Sequence, residues 1–189
     1  MPSLLLNGAA GMHRQPEPEE VPTRQFLTFL LGEEMFAMPI EDIREIIEFG
    51  NLTEVPLMPS FLRGVINLRG IVVPVIDLSV RFGRGVTPVE KRTCIVILEL
   101  EQEEQILLLG VMVDAVRAVL TVEQNKIEAP LSFGNRLRAD FVEGMINIKE
   151  RFVVALDVHA VFSVDELSAL IGVASQDDTN AVLADRRAG

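Results

Sequence analysis

A catalytic or metal site in this chain would have to be built from two histidines, one cysteine and a scatter of carboxylates. His13 stands in a segment of prolines and acids, and His159 follows Asp157 at the end of an apolar run. One histidine in an ordered region gives a metal site or a nucleophile–base triad little to work with. Cys94 lies inside Thr93-Cys94-Ile95-Val96-Ile97-Leu98. That setting suits a small buried apolar residue better than a reactive thiol, and a lone cysteine excludes a thiolate zinc cluster. Gly83-Arg84-Gly85 lacks the third glycine of a dinucleotide loop, no glycine-rich loop runs into Lys-Ser or Lys-Thr, and no serine has a nucleophile-elbow context. Glu101, Glu103 and Glu104 read as a solvated loop. A small β-barrel enzyme or ligand-binding protein using carboxylates and His159 remains the alternative. The main expectation is no catalysis, no cofactor and no metal.

The remaining chemistry is recognition. Asn67-Leu68-Arg69-Gly70 has the residues of a tight turn, since Asn and Gly tolerate positive φ. Arg69 on such a turn points outward and is pre-organised for a partner carboxylate. An ordinary solvated arginine is the competing reading.

Strands must position that turn. Phe26 to Leu31 is apolar on both faces, and Gly32-Glu33-Glu34 turns it into Met35 to Met38. Ile71 to Ile76 is a strand carrying Pro74, which removes one ladder donor and predicts an edge or a bulge. Cys94 to Leu100 and Ile106 to Val113 predict a hairpin, and Phe152 to Val158 another strand. One helix is signalled, with Ser163-Val164-Asp165-Glu166 as a capping box, Leu167, Leu170 and Ile171 on one face, and Gly172 as its stop.

An internal repeat joins these elements. Phe61, Gly64, Ile66 and Asn67 recur 80 positions later as Phe141, Gly144, Ile146 and Asn147, as do Val73, Asp77 and Phe82. Ile40, Ile43, Arg44 and Ile46 match Val113, Val116, Arg117 and Val119 at an offset of 73. The shift places a longer loop at Asn125 to Arg138. Two β units, 36–82 and 109–162, would each cover the other's apolar face. Closed or nearly closed barrels would bury most strand edges. Asn67 and Asp77, shared by both copies, suit structural roles. Arg69-Gly70, replaced by Lys149-Glu150, suits function better.

The net charge of −11 disfavours nucleic acid and anionic lipid as partners. No apolar stretch approaches the roughly 20 residues of a membrane span, and the start does not resemble a secretory signal. A cytoplasmic protein is expected. Residues 1–23, with Pro16, Pro18 and Pro22 among glutamates, read as a flexible tail, as do 173–189. The folded unit is expected over 24–172.

The stretch RGVINLRGIVVPVIDL, Arg63 to Leu78, is similar to the signature of CheW-type coupling proteins. The flanking blocks Gln25 to Gly32, Met38 to Ile47, Leu57 to Phe61 and Leu109 to Val116 resemble the same family in order and spacing. The resemblance covers about residues 24–172. It implies a mainly β fold of two intertwined five-stranded SH3-like barrels, with the C-terminal helix following. It implies a non-enzymatic scaffold that binds the cytoplasmic tip of a methyl-accepting chemoreceptor and the regulatory domain of a CheA-type histidine kinase. The protein would be cytoplasmic and recruited to membrane-associated arrays, with self-association there left open. Neither a kinase nor a receiver domain flanks the barrels, so a stand-alone adaptor is expected.

By the same resemblance Ile43, Glu45, Gly64, Arg69 and Val119 map to receptor-facing positions. A receptor helix in a groove between the barrels would use apolar anchors, with charges at the rim. Ile40 and Ile43 suit the anchors and Val119 the opposite wall, although periodicity alone favours core packing for all three. Gly64 would allow close approach, and Arg69 would pair with a receptor carboxylate. Asn67 and Gly70 would shape the turn, Pro74 the strand, and Asp77 would cap the turn after it.

Overall fold

The Val, Ile and Leu runs form short strands, whose β-branched side chains suit a pleated surface. The computed structural model describes residues 18–102, 104–130 and 137–163. The helix expected after Ser163, the C-terminal tail and the first 17 residues lie outside them. In chain order the strands are β1 (Thr23–Leu31), β2 (Glu34–Pro39), β3 (Ile43–Glu48), β4 (Leu62–Leu68), β5 (Ile71–Asp77), β6 (Cys94–Gln102), β7 (Gln105–Val113), β8 (Ala115–Glu123), β9 (Ile127–Glu128), β10 (Val142–Ile148) and β11 (Arg151–Leu156). A 3-10 turn, Ile40–Asp42, precedes β3, and two single-turn helices, α1 (Leu78–Arg81) and α2 (Val158–Val161), follow β5 and β11. The strand expected to reach Val158 therefore ends earlier, where the Asp157 carboxylate accepts from the Ala160 N–H at 3.0 Å and starts α2.

Two sheets result, with orders β3-β6-β7-β5-β4 and β8-β1-β2-β11-β10-β9. The first half of the chain donates β1 and β2 to the sheet otherwise built by the second half. The second half donates β6 and β7 to the other sheet. The register makes the repeat physical. Val75 pairs with Gly110 in the parallel β5–β7 ladder, and Ala155 pairs with Ala37 in the parallel β11–β2 ladder. These four residues carry both sequence offsets at once. Each copy thus needs the other's first hairpin to complete its sheet. The short β9, a sixth strand in the second sheet, corresponds to the isolated Thr53–Val65 bridge in the first.

Three apolar clusters follow from this exchange. One lies within each barrel-like sheet, around Ile66, Val73 and Met112, and around Phe26, Ile146 and Val153. The largest lies between them and draws on both halves, from Leu27, Phe29 and Leu31 to Leu98, Leu109 and Phe162. β1 is apolar on both faces because Phe26 enters one cluster while Leu27, Phe29 and Leu31 enter another. A run of rings, Phe29, Phe36, Phe82 and Phe141, crosses the central cluster with centroids 6.0, 5.7 and 6.0 Å apart. Each fully buried Leu or Phe contributes about 1.5–3 kcal/mol. Cys94 is half-buried against this cluster.

Pro74 is not on an edge strand, since β5 lies between β7 and β4. It pairs with Val65 of β4, and the parallel ladder with β7 begins only at Val75. The missing N–H thus falls where β5 diverges from β7. The register shift in this hairpin lies on β4, between Leu62 and Gly64.

Candidate functional site

The β4–β5 hairpin closes through a two-residue loop, because Leu68 pairs with Ile71. Arg69 and Gly70 have φ of 52° and 86°, the left-handed pair of a type I′ turn. The Asn67 side-chain carbonyl accepts from the Gly70 N–H at 2.8 Å and pins the loop. The matching hairpin of the second copy turns in the same way through Lys149 and Glu150, at φ 47° and 66°.

Arg69 is held by its own chain. Its guanidinium donates to both oxygens of Glu45, at 2.7 and 2.9 Å. The two residues are 24 positions apart, Glu45 on β3 and Arg69 on the turn after β4, and these two strands are opposite ends of the strand order. The pair therefore spans the seam that closes the first sheet into a barrel. The Arg69 side chain remains 71% exposed, so the fork is both oriented and reachable. Arg69 holds the Glu45 carboxyl below the usual carboxylate range through this hydrogen bond, and Glu45 raises the guanidinium further.

Ile40 and Ile43 are half-buried against the central cluster. The 3-10 turn that carries Ile40 is tied to the second barrel at two points. Arg24 of β1 bonds Glu41 at 3.0 Å and also pairs with Glu143 of β10. Asp42 lies 3.4 Å from the His159 ring of α2. Burial pushes the Asp42 carboxyl up, partly offset by the His159 charge. Neither Asp42 nor His159 lines the two hollows described below, and no cluster of three or more metal-ligating side chains occurs among the described residues.

The close approach that Gly64 permits is internal. Its φ is 149°, and a Cβ there would collide with the Thr53 carbonyl and the Leu52 side chain. Gly144 repeats this against Ile127 and Glu128. Gly64 is also buried, so it shapes the β4 bulge instead of opening room for a partner. Val119 stands on β8 of the other sheet, paired with Leu27 and 49% exposed, apart from the Glu45–Arg69 contact. Its repeat mate Ile46 is exposed to a similar degree, 43%. Neither is core.

Asp77 is fully buried and saturated. One oxygen accepts from the N–H groups of Ser79 and Val80 at 3.0 and 3.3 Å and from the Thr87 hydroxyl at 2.7 Å. The other accepts from the Thr87 N–H at 2.8 Å and faces the Arg63 guanidinium at 3.7 Å. Arg81 lies over Phe61 and Phe141, 5.0 and 5.5 Å from their centroids, and donates to the Val161 carbonyl at 3.2 Å. The Glu45–Arg69 pairing and the Thr87 contacts escape a reading of the sequence, because no spacing rule relates a turn or loop residue to a partner brought near only by the fold.

The CheW-like domain profile matches residues 25–166. The chain belongs to the CheW-like domain family. It is 30% identical to the chemotaxis protein CheW of Klebsiella aerogenes over 151 residues, covering 80% of this chain and 89% of that protein. It is 32% identical to a probable chemotaxis protein CheW of Rhizobium etli over 146 residues, covering 77% and 92%. The crystal structure of the scaffolding protein TtCheW from Thermoanaerobacter tengcongensis superposes with a TM-score of 0.66 at 33% identity, covering 79% of this chain and 91% of that one. The mainly β, two-sheet architecture of this CheW-like chain agrees with that structural neighbour.

Proposed function

We propose that this chain is a non-enzymatic chemotaxis adaptor that couples a transmembrane chemoreceptor to a CheA-type histidine kinase in the cytoplasm, at membrane-associated arrays. Membership of the CheW-like family supports the adaptor role. The observation that carries the residue-level reading is the rigid, exposed Arg69 fork held by Glu45 across the barrel seam. A receptor carboxylate would share or take over that fork, so docking reads as exchange of one ion pair for another. Ile40 and Ile43, half-buried on the approach to β3, are the apolar anchors, and Val119 belongs to a facing wall. Asn67 and Gly70 hold the turn, while Gly64, Pro74 and Asp77 support it from within. The kinase regulatory domain uses a separate surface.

The test is calorimetric titration of the purified protein against a receptor cytoplasmic hairpin and, separately, against the kinase regulatory domain. Arg69→Glu is run alongside. Saturable binding to both by the native chain, and to the kinase domain alone by the variant, supports the coupling role and this receptor face. Normal receptor binding by Arg69→Glu removes the residue assignment. Binding of the folded protein to neither authentic partner removes the coupling role.

A further inference from the structure

The swapped hairpins leave a hollow at the mouth of each barrel, where the parallel strand pairs diverge. That of the first barrel is lined by Arg44, Ile71, Val72, Glu99 and Ile106 among others. In the repeat register these positions become Arg117, Arg151, Phe152, Leu30 and Glu33, all of which line the hollow of the second barrel. The two hollows are therefore one feature occurring twice, and the first serves as an internal reference for the second.

In the first barrel Arg44 at the mouth and Arg69 on the turn before Ile71 each have a carboxylate of their own chain. Arg44 bonds Glu99 at 3.0 Å, and Arg69 bonds Glu45. In the second barrel the cations persist as Arg117 and Lys149, and Arg151 is added where the first barrel has Ile71. The carboxylates do not persist. Leu30 takes the place of Glu99, and Ala118 that of Glu45. Arg117, Lys149 and Arg151 make no ion pair among the described residues, in a chain of net charge −11. Behind them the hollow of about 1040 Å³ reaches the buried side chains of Phe36, Met145 and Val153. Among the described residues of this rim Arg84 pairs with Glu34, and Glu33 lines the rim beside it.

An apolar floor with cations at its lip that have no ion pair among the described residues suits a ligand with an anionic head and an apolar body. We propose that the mouth of the second barrel binds a single-chain anionic amphiphile of the fatty-acyl carboxylate class. Its carboxylate replaces the missing Glu45 and Glu99 equivalents beside Arg117, Lys149 and Arg151. Its chain lies over Leu30, Met35 and Met145. This site does not depend on the receptor face proposed above.

Monomeric dodecanoate is the probe, and methionine-methyl NMR of the full chain is the readout. Met35 and Met145 line this hollow, whereas Met112 belongs to the first barrel's interior. Saturable shifts are expected at Met35 and Met145 and not at Met112, absent with dodecanol or a dodecyl ammonium ion. The double variant Arg117→Ala, Arg151→Ala should weaken binding at least tenfold. So should Leu30→Glu, which copies the first barrel's own solution and satisfies Arg117 internally. Equal response to dodecanol, unchanged affinity in both variants, or binding only to anionic phospholipid vesicles would overturn the proposal.

Discussion

The Arg69 guanidinium and the Glu45 carboxylate meet in a two-bond fork, 2.7 and 2.9 Å, across the seam between β4 and β3. Arg69→Glu places two carboxylates at that seam. Its thermal midpoint is expected to fall, with far-ultraviolet circular dichroism unchanged. The reciprocal exchange Glu45→Arg, Arg69→Glu should recover the midpoint, because the pair is re-formed, but not receptor affinity, because the exposed charge is reversed. A double-mutant cycle in both readouts separates the two effects.

Acid should open the same seam. Arg69 holds the folded pKa of Glu45 below its unfolded value. The contribution is complete above the unfolded glutamate value of about 4.3 and is lost as pH falls through the folded value. The midpoint difference between the native chain and Glu45→Gln should therefore shrink on going from about pH 6 to about pH 3. A difference that grows on acidification would contradict the pairing.

Asp77 and Asp157 are repeat mates with unequal work. Asp77→Ala orphans the Thr87 and helix N–H groups and leaves Arg63 without its partner, which should cost about 3–4 kcal/mol. Asp157→Ala removes one capping bond and should cost about 1 kcal/mol. Urea denaturation of both variants measures the gap, and similar losses would show that the Asp77 network matters less than its geometry suggests.

Gly64→Ala and Gly144→Ala each force a Cβ into backbone atoms of the neighbouring segment, and each should cost more than about 2 kcal/mol. Gly70→Ala meets open space and suffers only from its positive φ, so about 1 kcal/mol is expected. Chemical denaturation ranks the three. If Gly64→Ala matched Gly70→Ala, the bulge would have to relax more easily than a backbone contact allows.

Much of the architecture is local and so is readable from residues 26–158. Alternation and β-branching specify strands, Asn67 and Gly70 specify a turn, and a repeated Asp at 77 and 157 specifies a cap. The repeat also discloses two equivalent units, since Gly64, Asn67 and Asp77 recur as Gly144, Asn147 and Asp157. It does not disclose that β1–β2 and β6–β7 change places, because a swapped and an unswapped pairing bury the same residues. The edge or bulge expected at Pro74 is not found at that residue, for a related reason. A strand can have both neighbours and still lack a partner at one residue, where a parallel ladder has yet to begin.

The sequence alone determined what each segment is: strand, turn, cap, and an outward cation on a rigid loop. Those properties arise from φ/ψ preference and side-chain polarity within a few residues. Tertiary structure alone decided which charges meet. Glu45 reaches Arg69 only because β3 and β4 are opposite ends of one sheet that curves back on itself. Gly64 is filled by Thr53 for the same reason. Arg117 and Lys149 lack the carboxylates of their first-barrel counterparts, a difference visible only when the two mouths are superposed by register. Which distant residues touch depends on how strands pair, and pairing is set by burial summed over the whole chain.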